Sequence, residues 1–228
     1  MLEKRATADE LMDDPALDPE TYTAVLHDLA QVNTVTLARR PTLGFLERAV
    51  GSRRRLNLLD VGFGDGDMLR AIAQWCRRHG IDARLVGIDL NQRSVAAAVG
   101  ATSADLGIEY RGGDYADLAG QGWDCVISSL VAHHMSHDQL VAFLRFMERE
   151  SALGWFVNDL HRHGLAYAGW PLLAGIMRWH PIVRHDGRLS IARSYRQAEW
   201  LPLLRDAGVD GARVYRRFPF RLCVEKIC

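Results

Sequence analysis

The sequence has no excess of either charge. Its 228 residues include 28 lysines and arginines and 28 aspartates and glutamates, so the formal net charge is zero. Proteins that bind nucleic acid usually carry a basic face for the phosphates, so nucleic acid is not expected as a partner. Internal repeats and low-complexity linkers are also absent. A chain of this length and composition is long enough for one α/β domain with a full core.

Cysteine and long apolar runs are scarce as well. The four cysteines show no zinc-site spacing and lie in strand or helix patterns, which is typical of reduced core thiols in a cytoplasmic protein. The apolar segment 164–179 is shorter than the roughly 20 residues of a membrane span and is interrupted by Pro171. No apolar signal segment opens the chain, and about the first 19 residues, which are charged and contain Pro15, are expected to be disordered.

What the chain does contain is a glycine-rich turn directly after an apolar run. Residues 58–67 read Leu-Leu-Asp-Val-Gly-Phe-Gly-Asp-Gly-Asp, and a helical apolar pattern follows up to Gly80. A strand, a glycine turn and a helix N-terminus together place backbone N–H groups where an anionic ligand can approach. The dinucleotide-binding pattern G-x-G-x-x-G does not match, because the sixth position from Gly62 is Asp67.

Further apolar runs predict the other strands of a sheet. The second ends at Asp89, the third is followed by Asp114, and the fifth ends near Asp159. The fourth covers residues 124–130, and two closing strands are predicted over residues 212–218 and 220–227. Acids that follow successive strands would meet at one edge of a parallel sheet.

The pattern D-x-G-x-G-x-G from Asp60 to Gly66, followed by Asp89 and Asp114, resembles the class I S-adenosylmethionine-dependent methyltransferases. The resemblance implies an α/β fold with a seven-stranded, mostly parallel, doubly wound sheet and an antiparallel edge strand. It also implies S-adenosylmethionine as the cofactor. Residues 1–50 would form an N-terminal helical cap, with Pro41 between two helices. Residues 51–228 would form the methyltransferase domain, with a helical insert after the fifth strand at about 161–193.

The same resemblance implies which residues contact the cofactor. Asp89 would accept hydrogen bonds from the ribose, Asp114 would meet the adenine amino group, and Tyr115 would lie nearby. Arg39 or Arg40 of the cap would reach the methionine carboxylate. The whole implied set is Asp60, Gly62, Phe63, Gly64, Asp67, Asp89, Leu90, Asp114, Tyr115, Ser128, Ser129, Arg39 and Arg40.

Two histidine clusters are candidates for the general base. Histidine has an ordinary pKa of about 6.5, which suits removal of a hydroxyl proton near neutral pH. The segment His133-His134-Met135 resembles natural-product O-methyltransferases, which implies His133 as the base and Asp159 as its helper. The alternatives are His134 after the fourth strand and His161 or His163 after the fifth.

Magnesium is not expected at this site, because Ser128 and Ser129 at the end of the fourth strand are poor ligands for it. The sequence therefore predicts a metal-independent enzyme.

The nearly uncharged segment 164–179 is expected to cover the acceptor, with Tyr167, Trp170, Ile176 and Met177 lining its pocket. A helical hairpin that fills only its own core, and transient contact with a membrane surface, remain alternatives. The predicted function is O-methylation of a small apolar acceptor, most simply a phenolic natural product. C-methylation of a quinol or polyprenyl-type ring, and a catalytically silent cofactor-binding partner, are the alternatives.

Overall fold

The computed structural model describes residues 2–228. Its single sheet has the strand order β3-β2-β1-β4-β5-β7-β6. Strands β1 to β5 are parallel, and β7 runs antiparallel to both of its neighbours. The strands are β1 Arg55–Val61, β2 Asp82–Asp89, β3 Ile108–Gly112, β4 Trp123–Ser129, β5 Ser151–Leu160, β6 Arg213–Arg217 and β7 Arg221–Ile227. The predicted seven-stranded sheet with an antiparallel edge is thereby confirmed.

Eight α-helices accompany the sheet within the described residues. They are α1 Pro19–Val35, α2 Arg39–Val50, α3 Asp67–His79, α4 Gln92–Ala101, α5 His137–Glu150, α6 Gly164–Ile176, α7 Pro181–Arg193 and α8 Gln197–Ala207. Helices α2 and α3 cover one face of the sheet, where Phe45 stacks on Phe156 with ring centroids 5.0 Å apart. Helices α5 and α8 cover the other face through Phe143 and Trp200, so the sheet is buried on both sides.

The strand order reverses between β1 and β4. In open parallel sheets the connections on the two sides of such a reversal leave in opposite directions and open a crevice at the carboxyl ends of the strands. The glycine-rich turn follows β1 at this crevice, so the topology alone places it where a ligand can bind.

The break between the first two helices lies earlier than predicted. The chain leaves the helical path at residues 36–38, where Leu37 has a φ of +54°. Pro41, which was expected to mark the break, lies instead in the first turn of α2. Its missing N–H is harmless there, because the first turn of a helix has no intrahelical acceptors for its N–H groups.

Helices α1, α6 and α7 form a helical cap above the crevice. Their shared core includes Val25 of α1, Trp170 of α6 and Ile191 of α7, with Trp179 between the last two helices. Helix α6 continues through Pro171 without ending there. Because α2 packs on the sheet, the cap contains only one of the two helices predicted for residues 1–50.

Residues 2–18, called the N-terminal strap, were expected to be disordered. In the structure they pack across the cap. The carboxylate of Asp186 in α7 accepts the backbone N–H groups of Leu11 and Met12 at 3.0 and 2.9 Å. Arg193 donates to the carbonyl of Ala8 at 3.0 Å. The strap has little apolar patterning of its own, so composition could not reveal these anchors, which distant residues supply.

Two other expectations concern the cysteines and the possibility of a membrane span. Cys76, Cys125 and Cys223 are buried as predicted for core thiols, whereas Cys228 is exposed, and all four are free. Within residues 2–228, no helix combines the length and the hydropathy that crossing a membrane requires.

Candidate functional site

A cavity of about 680 Å³ lies at the carboxyl ends of the strands, beneath the helical cap and the strap. This volume is in the range of small-molecule sites, which run from roughly 300 to 1,000 Å³. Its floor is the turn after β1 together with the ends of β2, β4 and β5, and its roof comes from α1, α6 and α7. Apolar groups dominate the walls, and polar groups gather at two separate places.

The glycine-rich turn forms part of the floor. Gly62 has a φ of +77°, and a Cβ there would lie 2.3 Å from Cγ2 of Val131. Gly64 has a φ of +55°, but a Cβ there would approach nothing closer than 3.8 Å, so this residue opens onto free space. Phe63 and Asp67 also line the cavity.

Asp89 and Leu90 bring the end of β2 to the cavity. One oxygen of Asp89 accepts the N–H of Gly64 at 3.0 Å, and the other accepts the N–H of Asn91 at 2.9 Å. Burial raises the pKa of this carboxyl group above its usual value, although the two N–H groups oppose that change. A carboxylate offers about four acceptor positions, so Asp89 keeps capacity for a ligand.

The two residues after β3 that were predicted to lie at the cofactor have different surroundings. Tyr115 lines the cavity and packs against the rings of Phe143 and Phe146, at centroid distances of 4.9 and 4.8 Å. Asp114 is exposed and does not line the cavity; its carboxylate accepts the N–H of Ala116 at 2.9 Å and so caps the short turn that follows.

One polar region of the cavity contains groups without partners. Both carboxylate oxygens of Asp60, Oδ1 of Asn33 and Oγ of Ser129 are buried, and none finds a hydrogen bond within the described residues. Burial, reinforced by nearby Asp67 and Asp89, raises the pKa of Asp60 to about 8. Buried polar groups are normally satisfied, so this set indicates a site that a polar ligand completes.

Arg221, at the start of β7, belongs to the same region and was missed at the sequence level. It is 1% exposed and lines the cavity. Its Nη2 donates to Oγ1 of Thr36 at 3.0 Å, but Nε and Nη1 make no hydrogen bond, and no carboxylate in residues 2–228 forms an ion pair with it. Burial lowers its pKa to about 10. The sequence signal that could have indicated a buried charge here is an arginine directly before the apolar run Leu222-Cys223-Val224.

Besides Asp114, three residues predicted to contact the cofactor do not line the cavity. Arg39 donates from Nε to Oδ2 of Asp67 at 2.8 Å, Arg40 is exposed, and neither lines the cavity. Ser128 is buried under the floor and donates to the carbonyl of Val61 at 3.0 Å. Helix α2 starts beside the glycine-rich turn. Arg39 therefore forms an ion pair with Asp67 at the end of that turn and does not face a ligand.

The second polar region is built around His133, in the turn after β4. Its Nδ1 lies 2.7 Å from Oδ1 of Asp159, and its backbone N–H donates to Oδ2 of the same residue at 2.8 Å. Burial alone would lower the pKa of His133, but Asp159 and Glu10 outweigh it and raise the pKa to about 9. Burial likewise opposes ionisation of Asp159, yet His133 and two backbone N–H groups lower its pKa overall.

Glu10 of the strap joins this region and was also missed. It is 4% exposed; its Oε1 lies 3.6 Å from Nε2 of His133, and its Oε2 lies 3.8 Å from Nε2 of His134. Ser190 of α7 donates to Oε1 at 2.8 Å. Glu10, His133 and His134 together are called the Glu10–His133–His134 cluster. An acid in a segment without apolar pattern gave no sequence signal for such a contact.

The histidines after β5 have different surroundings. His161 lines the cavity, and burial together with nearby cationic groups lowers its pKa. His163 does not line the cavity; its Nδ1 accepts the N–H of Leu165 at 3.2 Å, which caps α6, and its ring stacks on Phe220. The structure therefore keeps His161 near the site and assigns His163 to a helix end.

Of the four residues predicted to line the acceptor pocket, Trp170 does so. Tyr167 packs beneath Arg188, while Ile176 and Met177 point to solvent. The inner face of α6 consists instead of Leu165, Ala166, Gly169, Trp170 and Leu173. Segment 164–179 is apolar on all sides, so its sequence could not show which face would turn inward.

Comparisons with known proteins agree with this geometry. A family model described as a methyltransferase domain matches residues 58–150, from β1 to the end of α5. No curated protein matches the chain at a significant level.

Solved structures of similar fold cover most of the chain. A SAM-dependent methyltransferase from Aquifex aeolicus has 19% identity and a TM-score of 0.61, over 92% of this chain and 97% of that one. Human N-acetylserotonin methyltransferase has 14% identity and a TM-score of 0.63, over 91% and 56%. Magnesium protoporphyrin IX methyltransferase from Synechocystis PCC 6803 has 17% identity and a TM-score of 0.56, over 95% and 90%. Residues 58–150 thus match a methyltransferase domain, and the fold of the chain is the one seen in S-adenosylmethionine-dependent methyltransferases of known structure.

Proposed function

We propose that this protein methylates a hydroxyl group of a small apolar acceptor, with S-adenosylmethionine as the methyl donor. The observation that carries the proposal is the division of one cavity into two polar regions. Unpartnered groups around Asp60 and Arg221 form one region, and the Glu10–His133–His134 cluster forms the other. Apolar side chains, including Trp170 and Leu173, make up the remaining wall.

The first region fits the amino-acid tail of S-adenosylmethionine. That tail carries an ammonium and a carboxylate. The region offers both oxygens of Asp60, Oδ1 of Asn33, and Nε and Nη1 of Arg221, all of which lack a hydrogen-bond partner among the described residues. An unpaired buried cation is costly, and a carboxylate ligand would offset that cost. Asp89 keeps acceptor capacity for ribose hydroxyls, and Gly64 leaves room above the turn. When bound, the cofactor supplies a methyl group on a positively charged sulfur.

The second region fits the reacting end of the acceptor. Asp159 holds the ring of His133 in one orientation and directs its Nε2 to the side of Glu10. A hydroxyl placed beside the cluster would have a nitrogen or carboxylate group within reach of its proton. Two structures of similar fold are named as methyltransferases of N-acetylserotonin and of plantazolicin, at 14% and 12% identity, and these names support a small-molecule acceptor. Trp170, Leu173 and Ile191 favour an apolar body.

The test combines binding and turnover on the full-length protein. Calorimetry should show one equivalent of S-adenosylhomocysteine bound. Turnover with deuteromethyl-labelled cofactor on a panel of phenols and naphthols of increasing apolar size should label oxygen, as mass spectrometry of the products can show. Label on ring carbon would favour the quinol alternative. Cofactor binding without turnover of any hydroxyl acceptor would favour the silent partner.

A further inference from the structure

We propose that the Glu10–His133–His134 cluster is a binding site for a divalent transition-metal ion such as zinc or cobalt. It offers two imidazole nitrogens and one carboxylate oxygen, a ligand set known from catalytic zinc sites that keep a fourth position open. Ser128 and Ser129 are poor ligands for magnesium, which is why the sequence predicts a metal-independent enzyme. The Glu10–His133–His134 cluster lies elsewhere and combines nitrogen ligands with a carboxylate of the strap.

The distances suit one shared ion. The Nε2 atoms of His133 and His134 lie 3.6 and 3.8 Å from the two oxygens of Glu10, and one ligand atom from each of the three residues falls within 4.8 Å of the others. Two ligands placed about 2.1 Å from a tetrahedral ion lie about 3.4 Å apart. The two nitrogen–oxygen distances exceed this value by a few tenths of an ångström, and no pair in the set exceeds it by more than about 1.4 Å, so side-chain adjustment would bring the three ligands onto one centre.

The far nitrogen of each histidine faces a carboxylate, as in many metal sites. Nδ1 of His133 lies 2.7 Å from Asp159, and Nδ1 of His134 lies 3.4 Å from Asp13. A carboxylate at this position fixes the tautomer and turns the other nitrogen into a metal ligand, while it also raises the basicity of the ring. Three carboxylates, those of Glu10, Asp13 and Asp159, therefore surround two histidines. Apolar packing does not require so many charged groups at one place.

The strap holds Glu10 firmly. The N–H groups of Leu11 and Met12 are bound by Asp186, the carbonyl of Ala8 is bound by Arg193, and Ser190 donates to the side chain of Glu10. The carboxylate is thus anchored through the backbone on both sides, in a cavity with apolar walls. A buried carboxylate needs a positive partner. A divalent ion held between Glu10 and the two histidines would be such a partner.

The site borders the cavity, because all three residues line it. A bound ion with an open position could hold the oxygen of the acceptor and lower the pKa of its hydroxyl group. In that state His133 is a ligand rather than a base. This consequence rests on the proposed function, whereas the metal site itself does not. The nitrogen-rich set favours zinc, cobalt or nickel over magnesium, which prefers oxygen ligands.

The experiment is metal titration of the tag-free, full-length protein after chelator treatment. Calorimetry with zinc chloride and with cobalt chloride should show one equivalent bound. The cobalt complex should give visible absorption typical of a four- or five-coordinate ion. Glu10→Gln and His134→Gln should each lower the affinity by more than about a hundredfold, since each removes a ligand. Matched controls are Glu20→Gln and His137→Gln, which change exposed residues outside the cluster and should leave the affinity unchanged.

Asp13→Asn separates a supporting carboxylate from a ligand. It should weaken zinc binding by about 10- to 100-fold while the cobalt spectrum keeps its shape. The proposal is overturned if the wild-type protein binds neither metal at about 100 µM, or if both Glu10→Gln and His134→Gln bind as the wild type does. Half-buried His134 is a safe site for substitution should Glu10→Gln loosen the strap. Binding of S-adenosylhomocysteine, measured in parallel, shows whether the cofactor assignment holds independently.

Discussion

The carboxylate of Asp159 binds His133 twice: Oδ1 lies 2.7 Å from the ring Nδ1, and Oδ2 accepts the backbone N–H at 2.8 Å. The pair joins the end of β5 to the turn after β4, so two strands fix the position of one imidazole. Its distances are short enough for charge-assisted hydrogen bonds, which are about twice as strong as neutral ones.

Replacement of Asp159 by asparagine should therefore impair turnover. We expect Asp159→Asn to lower kcat by about 10²-fold or more, because the ring loses its orientation and its negative partner. The affinity for S-adenosylhomocysteine should stay near the wild-type value. The matched control is Asp206→Asn, which disrupts an exposed aspartate–histidine pair with His137 and should not change kcat. Equal effects of the two variants would contradict a role for Asp159 in the site.

Arg221 provides a test of how the cofactor tail is held. Arg221→Met should weaken binding of S-adenosylhomocysteine by about 1.5–3 kcal/mol, the usual value of a hydrogen bond to a charged group. Binding of 5′-methylthioadenosine, which lacks the amino-acid tail, should not change. Arg39→Met is the control, because Arg39 pairs with Asp67 but does not itself line the cavity. A similar loss for both ligands, or for both variants, would argue against a contact between Arg221 and the tail.

The same substitution should affect the ligand-free protein in the opposite direction. Arg221 is buried and has no ion-pair partner among the described residues. Removal of an uncompensated buried charge by an apolar side chain of similar length is often neutral or stabilising. Thermal unfolding without ligand should show Arg221→Met at or above the Tm of the wild type, whereas a clearly lower Tm would mean that the guanidinium serves the fold.

Asp60 predicts a pH dependence of stability. Its pKa is about 8 in the folded protein, against an ordinary value of 3.8, so between these values the folded state binds a proton that the unfolded state has released. The free energy of unfolding should therefore fall as the pH rises from about 4 to 8 and should lose this contribution to its slope above pH 8. Urea unfolding of ligand-free wild type and Asp60→Asn should show the wild type losing stability relative to the variant over this range. Parallel curves would contradict the raised pKa.

The local part of the site was accessible from the sequence, because its residues are neighbours in the chain. Strand β1, the glycine turn and α3 follow one another directly, and the turn needs glycine where φ is positive and where Val131 approaches. The end of β2 at Asp89 follows from the same strand–turn–helix pattern. These features depend on periodicity and turn chemistry, which are properties of short segments.

The remaining part depends on contacts between distant segments. Glu10 reaches His133 only because Asp186 and Arg193 of α7 hold the strap, and Arg221 enters the cavity only because β7 pairs antiparallel with the end of β5. No pattern within either segment encodes such a contact. The inward face of α6 could not be predicted for a different reason. The helix is apolar on every side, so its packing against α1 and α7 determines which face turns inward.

Trp170 tests the acceptor wall. Trp170→Ala should raise KM for an apolar acceptor by tenfold to a hundredfold, the equivalent of about 1.5–3 kcal/mol of buried aromatic surface, with little change in cofactor affinity. Ile176→Ala, an exposed position on the same helix, should leave KM unchanged. Because Trp170 also packs against Gly187, circular dichroism must show that the variant is folded. A folded variant with unaltered KM would place the acceptor elsewhere.

The most direct measurement is calorimetry of S-adenosylhomocysteine and of NAD with the wild-type protein, Asp89→Ala and Asp114→Ala. The two substitutions remove one acid that lines the cavity and one that does not. We expect the wild type to bind one equivalent of S-adenosylhomocysteine at micromolar strength and no NAD. Asp89→Ala should weaken binding by about 1–3 kcal/mol, since ribose hydroxyls lose their acceptor, and Asp114→Ala should bind as the wild type does. Tight binding of NAD without binding of S-adenosylhomocysteine would contradict the cofactor assignment and the function built on it.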